Sequence, residues 1–390
     1  MPGTPKPSRK PERPQFSSGP CAKPPGWSPQ WLDGALVGRS HRSPQGRDEI
    51  AALIGSLKRL LELPDGYHLG IVPGSDTGAF EMAMWQLLGA RGVDVLAWEV
   101  FGKTWVRDIV DELRITDVRR LEAEFGHLPD LSKADFTRDV VFTANGTTSG
   151  VRVPNFDWIA PDRTGLTLCD ATSAVLAHDI DWSRIDLATF SWQKCLGGEA
   201  AHGVLILSPR AVARIESYTP PWPIPKLMRF AREGRLDEAL FAGTTINTPS
   251  MLCVRDCTRA VAWAESAGGL RGLMARARRN AGLVHAWLAR SPWAANLAVD
   301  PATWSETSVC IVFRDQAVMA LPAGDQRAFA IAMARLLEDE GVAFDIAAHR
   351  GAPPGLRIWT GPTVNDADIE ALLPWLDWAF HLVQGASMKS

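Results

Sequence analysis

Short apolar runs recur along the first two thirds of the chain, and each is separated from the next by a helix-like or turn-rich stretch. Six of them have the length of a buried strand, namely 67–72, 93–98, 140–144, 166–169, 187–191 and 204–207. Continuous apolar runs of this kind are typical of strands that are buried on both faces in a parallel sheet. The alternation therefore predicts an α/β fold in which helices cover both faces of a mainly parallel sheet.

The pattern changes after about residue 249. Helical spacing at 251–266 and 270–289 is followed by strand-like runs and further helices, at 308–313, 317–321, 325–340, 344–347, 356–359 and 366–382. This mixture favours a smaller α+β domain. A chain of 390 residues that is 46% hydrophobic is long enough for two cores. We therefore expect a large domain at 16–265 and a small carboxyl-terminal domain at 266–390.

The amino-terminal segment 1–15 differs from the rest in composition. Residues 1–14 contain five prolines together with Lys6, Arg9, Lys10 and Arg13. Such a segment has too few apolar side chains to form a core of its own. It is expected to be a disordered, basic, proline-rich tail.

Charge and cysteine content exclude several classes of protein. A net charge of −3 provides no general positive field for nucleic acid or for an anionic membrane. The six cysteines show neither Cys-x-x-Cys spacing nor the density of a disulfide scaffold, which favours reduced thiols in a cytoplasm. No apolar run approaches the length of a membrane helix. We expect a cytoplasmic protein that binds neither nucleic acid nor a membrane and holds no metal.

Asp170 and Lys194 carry the strongest chemical signal. Asp170 ends the apolar stretch 166–169, and Lys194 follows the next strand-like run, 187–191. A carboxylate after one buried strand and a lysine after the next is what a pyridoxal phosphate enzyme needs, because the amine forms a Schiff base and the carboxylate keeps the pyridine nitrogen protonated. Taken singly, Asp170 could be a helix N-cap and Lys194 a surface lysine.

Three further features admit two interpretations each. The turn Gly74-Ser75-Asp76-Thr77-Gly78 lies between a strand and a helix, so it could surround a phosphate or be an ordinary helix cap. Trp105 could stack on a planar cofactor or belong to the core. Thr147 follows the strand-like run 140–144, where it could donate a hydroxyl to a ligand or simply form a turn.

The ordered set resembles the phosphoserine aminotransferase family over roughly residues 16–390. The matching motifs are Phe16-Ser17-Ser18-Gly19-Pro20, Ser40-His41-Arg42-Ser43, the 74–78 turn, Trp105, Asn145-Gly146-Thr147, Asp170-Ala171-Thr172-Ser173, Ser191-Trp192-Gln193-Lys194, Asn247-Thr248-Pro249, His349-Arg350 and Arg357. The resemblance implies the fold of fold-type I pyridoxal phosphate transferases. In that fold a mainly parallel sheet of seven strands lies between helices. A smaller α+β domain follows it in the sequence.

The resemblance also implies a role for each matching residue. Lys194 would be the Schiff-base lysine, Asp170 the pyridinium partner, Trp105 the stacking residue and Thr147 the donor to the ring hydroxyl. The cofactor phosphate would be held by backbone groups of Ser75 and Asp76 and by Gln193, and by Asn247 and Thr248 from the other subunit of a homodimer that shares its active sites.

For the substrates, the resemblance implies that Arg357 clamps the α-carboxylate. His41 and Arg42 of the second subunit would join His349 and Arg350 in binding the distal anion. The implied reaction transfers an amino group reversibly between O-phospho-L-serine and 2-oxoglutarate, giving 3-phosphohydroxypyruvate and L-glutamate. It would serve serine synthesis, and with 4-phosphohydroxy-L-threonine also pyridoxine synthesis.

One departure from the family pattern and three rival functions remain open. Thr77 stands where better-known bacterial members have an arginine that binds the phosphate, and Lys226 or Arg229 could replace that charge. An alanine–glyoxylate or serine–pyruvate aminotransferase would share Asp170 and Lys194 without needing the His-Arg pairs. A cysteine desulfurase would need a mobile cysteine, whereas Cys310 lies inside an apolar run. A regulatory protein would have little use for both Asp170 and Lys194.

Overall fold

The structure is a computed structural model that describes residues 5–387. It contains the helices α1 (Pro44–Leu60), α2 (Ser75–Leu87), α3 (Val100–Arg107), α4 (Pro209–Ser217), α5 (Glu238–Phe241), α6 (Met251–Ser266), α7 (Gly269–Leu288), α8 (Gln316–Met319), α9 (Ala323–Asp339) and α10 (Asp366–Ser387). Within the described residues, no helix is long and apolar enough to cross a membrane.

The strands form one large sheet and three small ones. They are β1 (His68–Pro73), β2 (Val93–Ala97), β3 (Val118–Glu122), β4 (Asp139–Thr143), β5 (Asn145–Gly146), β6 (Val151–Arg152), β7 (Thr167–Asp170), β8 (Leu187–Ser191), β9 (His202–Leu207), β10 (Ala231–Arg232), β11 (Arg235–Leu236), β12 (Ala294–Asn296), β13 (Ser308–Phe313) and β14 (Leu356–Trp359). The pairs β5–β6 and β10–β11 are short hairpin-like ladders.

The large sheet has seven strands in the order β1-β9-β8-β7-β4-β2-β3. The neighbours from β8 through β3 pair in parallel, and only β9 runs against both of its neighbours. The central strands β2, β4, β7, β8 and β9 are buried along their whole length. This confirms the predicted α/β fold with a mainly parallel sheet, because strands that are covered on both faces are rich in apolar side chains.

The register of the sheet brings the polar ends of several strands to one edge. Asp170, the last residue of β7, lies opposite Thr189 of β8 and beside Thr143, the last residue of β4. Asn145 and Lys194 come soon after the ends of β4 and β8. Since the carboxyl ends of parallel strands share an edge, residues that are far apart in sequence meet there.

The carboxyl-terminal part forms the α+β layer that the sequence predicts. An antiparallel sheet of β12, β13 and β14 is covered by α7, α9 and α10, which pack against one another or against the sheet. Cys310 of β13 lies opposite Arg357 of β14, so this small sheet carries Arg357 towards the edge of the large one. The expected boundary between 265 and 266 falls at the end of α6.

Two strand predictions were wrong, and one strand was not predicted. The expected strand 344–347 forms only isolated bridges, at Phe344 and at Ala347. The run 317–321 was expected to be a strand, but the Asp315 side chain accepts a hydrogen bond from the Val318 amide and starts the short helix α8. Conversely, β3 was not predicted. No residue of this edge strand is fully buried, and the exposed Arg119, Arg120 and Glu122 hide the apolar signal of the half-buried Val118 and Leu121.

The expected disorder of the tail 1–15 does not hold for its described part, 5–15. Trp375 of α10 donates its indole N–H to the Arg9 carbonyl at 2.8 Å, and the Glu12 amide donates to Asp368 at 2.8 Å. The Lys6 ammonium lies 2.6 Å from Glu340 and 5.4 Å from the centre of the Trp378 ring. The segment needs no core of its own because it packs on the small domain. Residues 1–4 lie outside the described part.

Asp186 joins several elements at the amino ends of the parallel strands, opposite to the end where Asp170 lies. Its buried carboxylate accepts hydrogen bonds from two nitrogens of the Arg163 guanidinium at 2.9 and 3.0 Å, from the Thr167 amide of β7 at 2.9 Å and from Arg210 of α4 at 3.0 Å. Asp186 immediately precedes β8. One carboxylate therefore joins the start of β7, the start of β8 and the helix that follows β9.

Replacing Asp186 with asparagine should lower the free energy of unfolding by about 3–5 kcal/mol, because the buried Arg163 guanidinium loses its counter-charge. Chemical denaturation at fixed protein concentration measures the change. The matched control is Asp181→Asn, which neutralises an exposed partner of Arg184 and should cost less than about 1 kcal/mol. Equal effects of the two substitutions would rule out Asp186 as an anchor of the sheet.

Candidate active site

A cavity of about 200 Å³ opens at the carboxyl edge of the large sheet. Seven residues that the sequence predicts as cofactor-binding line it together, namely Ser75, Asp76, Trp105, Thr147, Asp170, Gln193 and Lys194. Gly19, Phe101, Thr143, Asn145, Thr172 and Ser173 complete the lining with Thr77. Residues that are distant in sequence therefore share one small space.

Asp170 is held in place by two donors. Trp105 donates its indole N–H to Oδ2 at 3.2 Å, and the Thr172 amide donates to Oδ1 at 3.1 Å. Burial raises the pKa of the Asp170 carboxyl, while these donors oppose the rise because they favour the charged form. The carboxylate thus has a fixed orientation and can accept a further proton donor from the cavity.

Trp105 stands on α3 as one wall of the cavity. Its side chain is 2% exposed, and its ring lies 4.8 Å from that of Phe80 on α2. The indole is clamped between a neighbouring ring and the Asp170 carboxylate. Trp105 is therefore both a core residue and a cavity residue, so the two interpretations of this tryptophan are compatible.

Glu99 joins α3 to the loop that carries Thr147. One carboxyl oxygen caps α3 by accepting from the Gly102 amide at 2.7 Å, and the other accepts from the Thr148 hydroxyl at 2.7 Å. Complete burial raises the pKa of Glu99 to about 7. No signal in the sequence indicated the link between Glu99 and Thr148.

Lys194 lies in the loop after β8, with its amine turned to the amino-terminal segment. The amine donates to the Ser18 carbonyl and lies 5.7 Å from the centre of the Trp359 ring. Burial lowers the pKa of Lys194, and Arg357 lowers it further, whereas Cys21 and Asp170 oppose the shift. At a given pH a larger fraction of the amine is therefore neutral than for a lysine in water.

Gly19 leaves room for this amine. A Cβ atom at Gly19 would lie 2.8 Å from Lys194 Nζ, and its φ of 153° is one that side chains rarely adopt. Any larger residue would push the lysine aside. The Ser18-Gly19 segment, which the sequence supplied only as a family motif, is thus part of the site.

Thr147 is oriented by a hydroxyl network. Its Oγ1 lies 2.7 Å from the Ser173 hydroxyl, which donates to the Asn145 carbonyl at 2.9 Å. Asn145 in turn donates to the Thr307 hydroxyl at 3.2 Å. Ser173 is a positioning residue that sequence analysis included in a motif without giving it a role.

The strand–turn–helix at 73–78 is strongly bent. Gly74 and Ser75 have φ values of 86° and 52°, and the Gly78 amide donates to the Gly74 carbonyl at 2.9 Å. Gly203 of β9 allows the turn to approach the sheet, since a Cβ there would collide with the Ser75 carbonyl oxygen. Ser75, Asp76 and Thr77, the first residues of α2, line the cavity, and a helix N-terminus at this position favours an anion.

Several buried polar atoms around the cavity lack a partner among residues 5–387. They include Asp76 Oδ1, Thr143 Oγ1, Thr189 Oγ1, Gln193 Oε1 and Arg357 Nε. Such atoms are normally satisfied by a ligand or by water. Together with a lysine of lowered pKa, an aromatic wall and an ionisable carboxylate, they fit pyridoxal phosphate.

Three arginines, Arg327, Arg350 and Arg357, lie around His349, and Arg357 is also near Lys194. Burial lowers the pKa of His349, and the nearby Arg357, Arg350 and Arg327 lower it further. The His349 ring lies 6.0 Å from that of Phe101, which lines the cavity. The small domain thus brings Arg357, His349 and Arg350 near one another, on the side of the cavity where Phe101 lies.

Four predicted residues do not reach the cavity of their own chain. His41 is buried beside the exposed Arg42. Burial lowers the pKa of His41, and the positive charge of Arg42 lowers it further. Asn247 and Thr248 precede α6, where the Thr245 hydroxyl donates to the Asn247 carbonyl at 2.7 Å. None of the four is among the described residues that line the cavity.

Lys226 and Arg229 do not replace the missing arginine within one chain. Their loop is fastened by a 2.6 Å hydrogen bond from Gln86 to the Met228 carbonyl, close to the carboxyl end of α2. The phosphate turn lies at the opposite end of that helix, roughly 15 Å away at 1.5 Å per residue. Within one chain, the length of α2 therefore separates this loop from the phosphate turn.

Comparison with known proteins gives a consistent result, although no family model matches the chain. The chain is 52% identical over 381 residues to the phosphoserine aminotransferase of Methanosarcina barkeri, and the alignment covers 97% of this chain and 100% of the relative. The solved phosphoserine aminotransferase of Cytophaga hutchinsonii superposes with a TM-score of 0.78 at 21% identity over 93% of this chain and 98% of that one. A pyridoxal phosphate-bound phosphoserine aminotransferase from Trichomonas vaginalis gives 0.75 at 18%, over 94% and 99%.

Replacing Glu99 with glutamine should change how stability depends on pH. The pKa of Glu99 is raised in the folded protein to about 7, so the folded state binds a proton that the unfolded state has released, and wild-type stability falls as pH rises from about 4.5 to about 7. The variant lacks this slope. Its unfolding free energy relative to wild type should rise by about 2 kcal/mol between about pH 5 and pH 8.

Thermal unfolding midpoints across this pH range measure the effect. Glu112→Gln, on the exposed side of the segment after α3, is the control and should leave the slope unchanged. A constant difference between Glu99→Gln and wild type at all pH values would contradict the raised pKa.

Proposed function

The chain belongs to the phosphoserine aminotransferase family, and we propose that it transfers an amino group reversibly between O-phospho-L-serine and 2-oxoglutarate with pyridoxal phosphate held at Lys194. The observation that carries this proposal is the meeting of Asp170, Lys194 and Trp105 in one cavity beside a cluster of cationic side chains. The reaction gives 3-phosphohydroxypyruvate and L-glutamate, a step of serine biosynthesis.

Pyridoxal phosphate, when bound, supplies an electron-accepting ring that stabilises negative charge at the substrate α-carbon. The protein would hold this group through Lys194, Asp170, Trp105 and Thr147. The phosphate would meet the first turn of α2 at Ser75 and Asp76, together with Gln193, whose Oε1 lacks a partner within the described chain. Backbone amides of that turn partly replace the charge that an arginine at Thr77 would bring.

Lys194 is the proton carrier of the site. To take a proton from the substrate α-carbon it must be neutral, and burial lowers its pKa in that direction. The Ser18 carbonyl accepts a hydrogen bond from the amine and so aims it. Asp170 acts in the complementary way, because the hydrogen bonds from Trp105 and Thr172 keep its carboxylate ionised against the effect of burial.

Substrate selection would depend on the small domain. Arg357 would bind the α-carboxylate in a bidentate manner that a lysine could not reproduce. His349 and Arg350 would bind the phosphate of phosphoserine or the side-chain carboxylate of glutamate, since both substrates carry an anion at that end. This distal site distinguishes the proposal from an alanine–glyoxylate aminotransferase, whose substrates have no distal anion.

The second subunit of a homodimer would complete each site. His41, Arg42, Asn247 and Thr248 lie apart from the cavity of their own chain, and His41 Nε2 is buried without a partner among the described residues. These positions suit residues that serve the cavity of a two-fold related copy.

A half-reaction with single substrates tests the function. Phosphoserine should change the visible absorbance of the cofactor-loaded protein, whereas serine and alanine should react far more slowly. Arg350→Ala should lower kcat/KM for phosphoserine about 10- to 100-fold, because a hydrogen bond to a charged group contributes roughly 1.5–3 kcal/mol.

Two controls make this result specific. Arg335→Ala removes an exposed arginine of α9 and should leave the rate unchanged. Lys194→Ala should abolish turnover with every amine, because the proton carrier of the site is lost. Equal rates with phosphoserine, serine and alanine would refute the distal anion site, and a protein that takes up no pyridoxal phosphate would refute the cofactor proposal.

Mixing two inactive variants tests the shared site. Arg42→Ala and Lys194→Ala homodimers should each be nearly inactive. After subunit exchange, random assortment yields one intact site in half of the dimers, hence about a quarter of wild-type activity for a two-fold dimer. Failure to recover activity, despite subunit exchange demonstrated by mixed-mass dimers, would show that Arg42 serves its own chain.

A further inference from the structure

A second carboxyl group lies beside Asp170. Asp76, in the first turn of α2, is 7% exposed and lines the same cavity. Its side chain lies next to those of Asp170, Thr172 and Thr189. The family resemblance implies a role only for the backbone of Asp76, so its carboxyl group is unassigned.

The surroundings of the two carboxyl groups differ. Both oxygens of Asp170 receive an N–H donor, from Trp105 and from the Thr172 backbone. Asp76 Oδ1 has no partner among the described residues. Since hydrogen bonds from N–H groups stabilise a carboxylate, Asp170 is the better place for the negative charge.

Two adjacent buried carboxyl groups cannot both ionise at low cost. Burial raises the pKa of Asp76 well above its usual value, and the neighbouring Asp170 raises it further, although the side chains of Thr172 and Thr189 oppose part of this rise. The amino terminus of α2 acts in the opposite direction, but its partial charge is only about half a unit and is shared with solvent at the exposed Gly74 and Thr77. Repulsion by the full charge of Asp170 in a dry cavity therefore prevails.

The other titratable groups that face the pair do not change this balance. Cys169 of β7 lies near both carboxyl groups, and burial raises the pKa of its thiol, so it stays neutral. Glu99 and Lys194 interact with Asp170. The ammonium form of Lys194 would favour the charge on Asp170, which again leaves the proton on Asp76.

We propose that Asp76 is a positioning residue whose carboxyl group stays protonated and donates its hydrogen to Asp170. This bond fixes the direction of the Asp170 carboxylate and keeps it ionised, so that the ring nitrogen of the cofactor retains its proton. The partner of that nitrogen is then a pair of acids sharing one proton rather than a lone aspartate. The inference rests on the proposed role of Asp170, although the protonation of Asp76 does not require a bound cofactor.

Infrared spectroscopy of the full-length protein, with and without pyridoxal phosphate, tests the protonation. The wild type should show the carbonyl stretch of a protonated carboxylic acid at about pH 7.5, above the usual range of a carboxyl group. Asp76→Asn should remove this band when the two proteins are compared in a Glu99→Gln background, because Glu99, with a pKa of about 7, is itself partly protonated at this pH. Glu99→Gln is the matched control, because it neutralises another buried acid and should leave the Asp76 band in place.

Kinetics of the loaded enzyme test the positioning. Asp76→Ala removes the donor and should lower kcat/KM roughly 10-fold, with the acid limb of the pH profile moved to higher pH because Asp170 becomes easier to protonate. Asp76→Asn retains a donor of the same shape and should rescue most of the loss. A purely structural role would leave the acid limb where it is.

The failures of the two proposals can be told apart. Absence of the acid band from the wild-type protein, or its persistence after Asp76→Asn in the Glu99→Gln background, overturns the inference even if transamination is normal. An Asp76→Asn protein that does not fold also overturns the inference. If Asp76 is neutral in the folded protein, an asparagine of the same shape should replace it without loss of the fold. If the band behaves as expected but no cofactor binds, the proposed function fails and the protonated Asp76 stands.

Discussion

The parallel pairing of β7 with β8 is the constraint on which the site depends. It sets Asp170 opposite Thr189 at the carboxyl edge of the sheet, and the loop that follows β8 then carries Lys194 past the same edge. At the other end of these strands, Asp186 binds the beginnings of β7 and β8 to Arg163 and α4. The two ends of these strands are thus stabilised differently, by ion pairs around Asp186 at one end and by hydrogen bonds to Asp170 and Lys194 at the other.

Loss of water is the common cause behind the unusual acidities in the cavity. It raises the pKa of Asp76, Asp170 and Glu99, and it lowers that of Lys194. These pKa shifts lower the stability of the folded protein, but active sites use such shifts to adjust charge near neutral pH. In the proposed reaction, Asp170 must stay ionised and Lys194 must become neutral. Hydrogen-bond donors then decide which carboxyl group carries the charge.

Regular patterns were easy to predict from the sequence, whereas contacts between distant segments were not. The buried strands are visible as continuous apolar runs, and Asp170 and Lys194 stand out by their position after two such runs. Strand β3 was missed because its arginines face water, and α8 because a single Asp315 cap outweighed an apolar run. No local pattern could place Ser173 beside Thr147, or Glu99 between Gly102 and Thr148, since packing in three dimensions creates these pairs.

The docking of residues 5–15 on α10 has a consequence for the order in which the molecule is made. The segment that leads to Ser18 and Gly19, and so to the acceptor for the Lys194 amine, is synthesised before its binding surface at Asp368 and Trp375. Domains otherwise fold as their chain appears. The Lys194 amine therefore obtains its final surroundings only after the segment that contains Asp368 and Trp375 has been made and has folded.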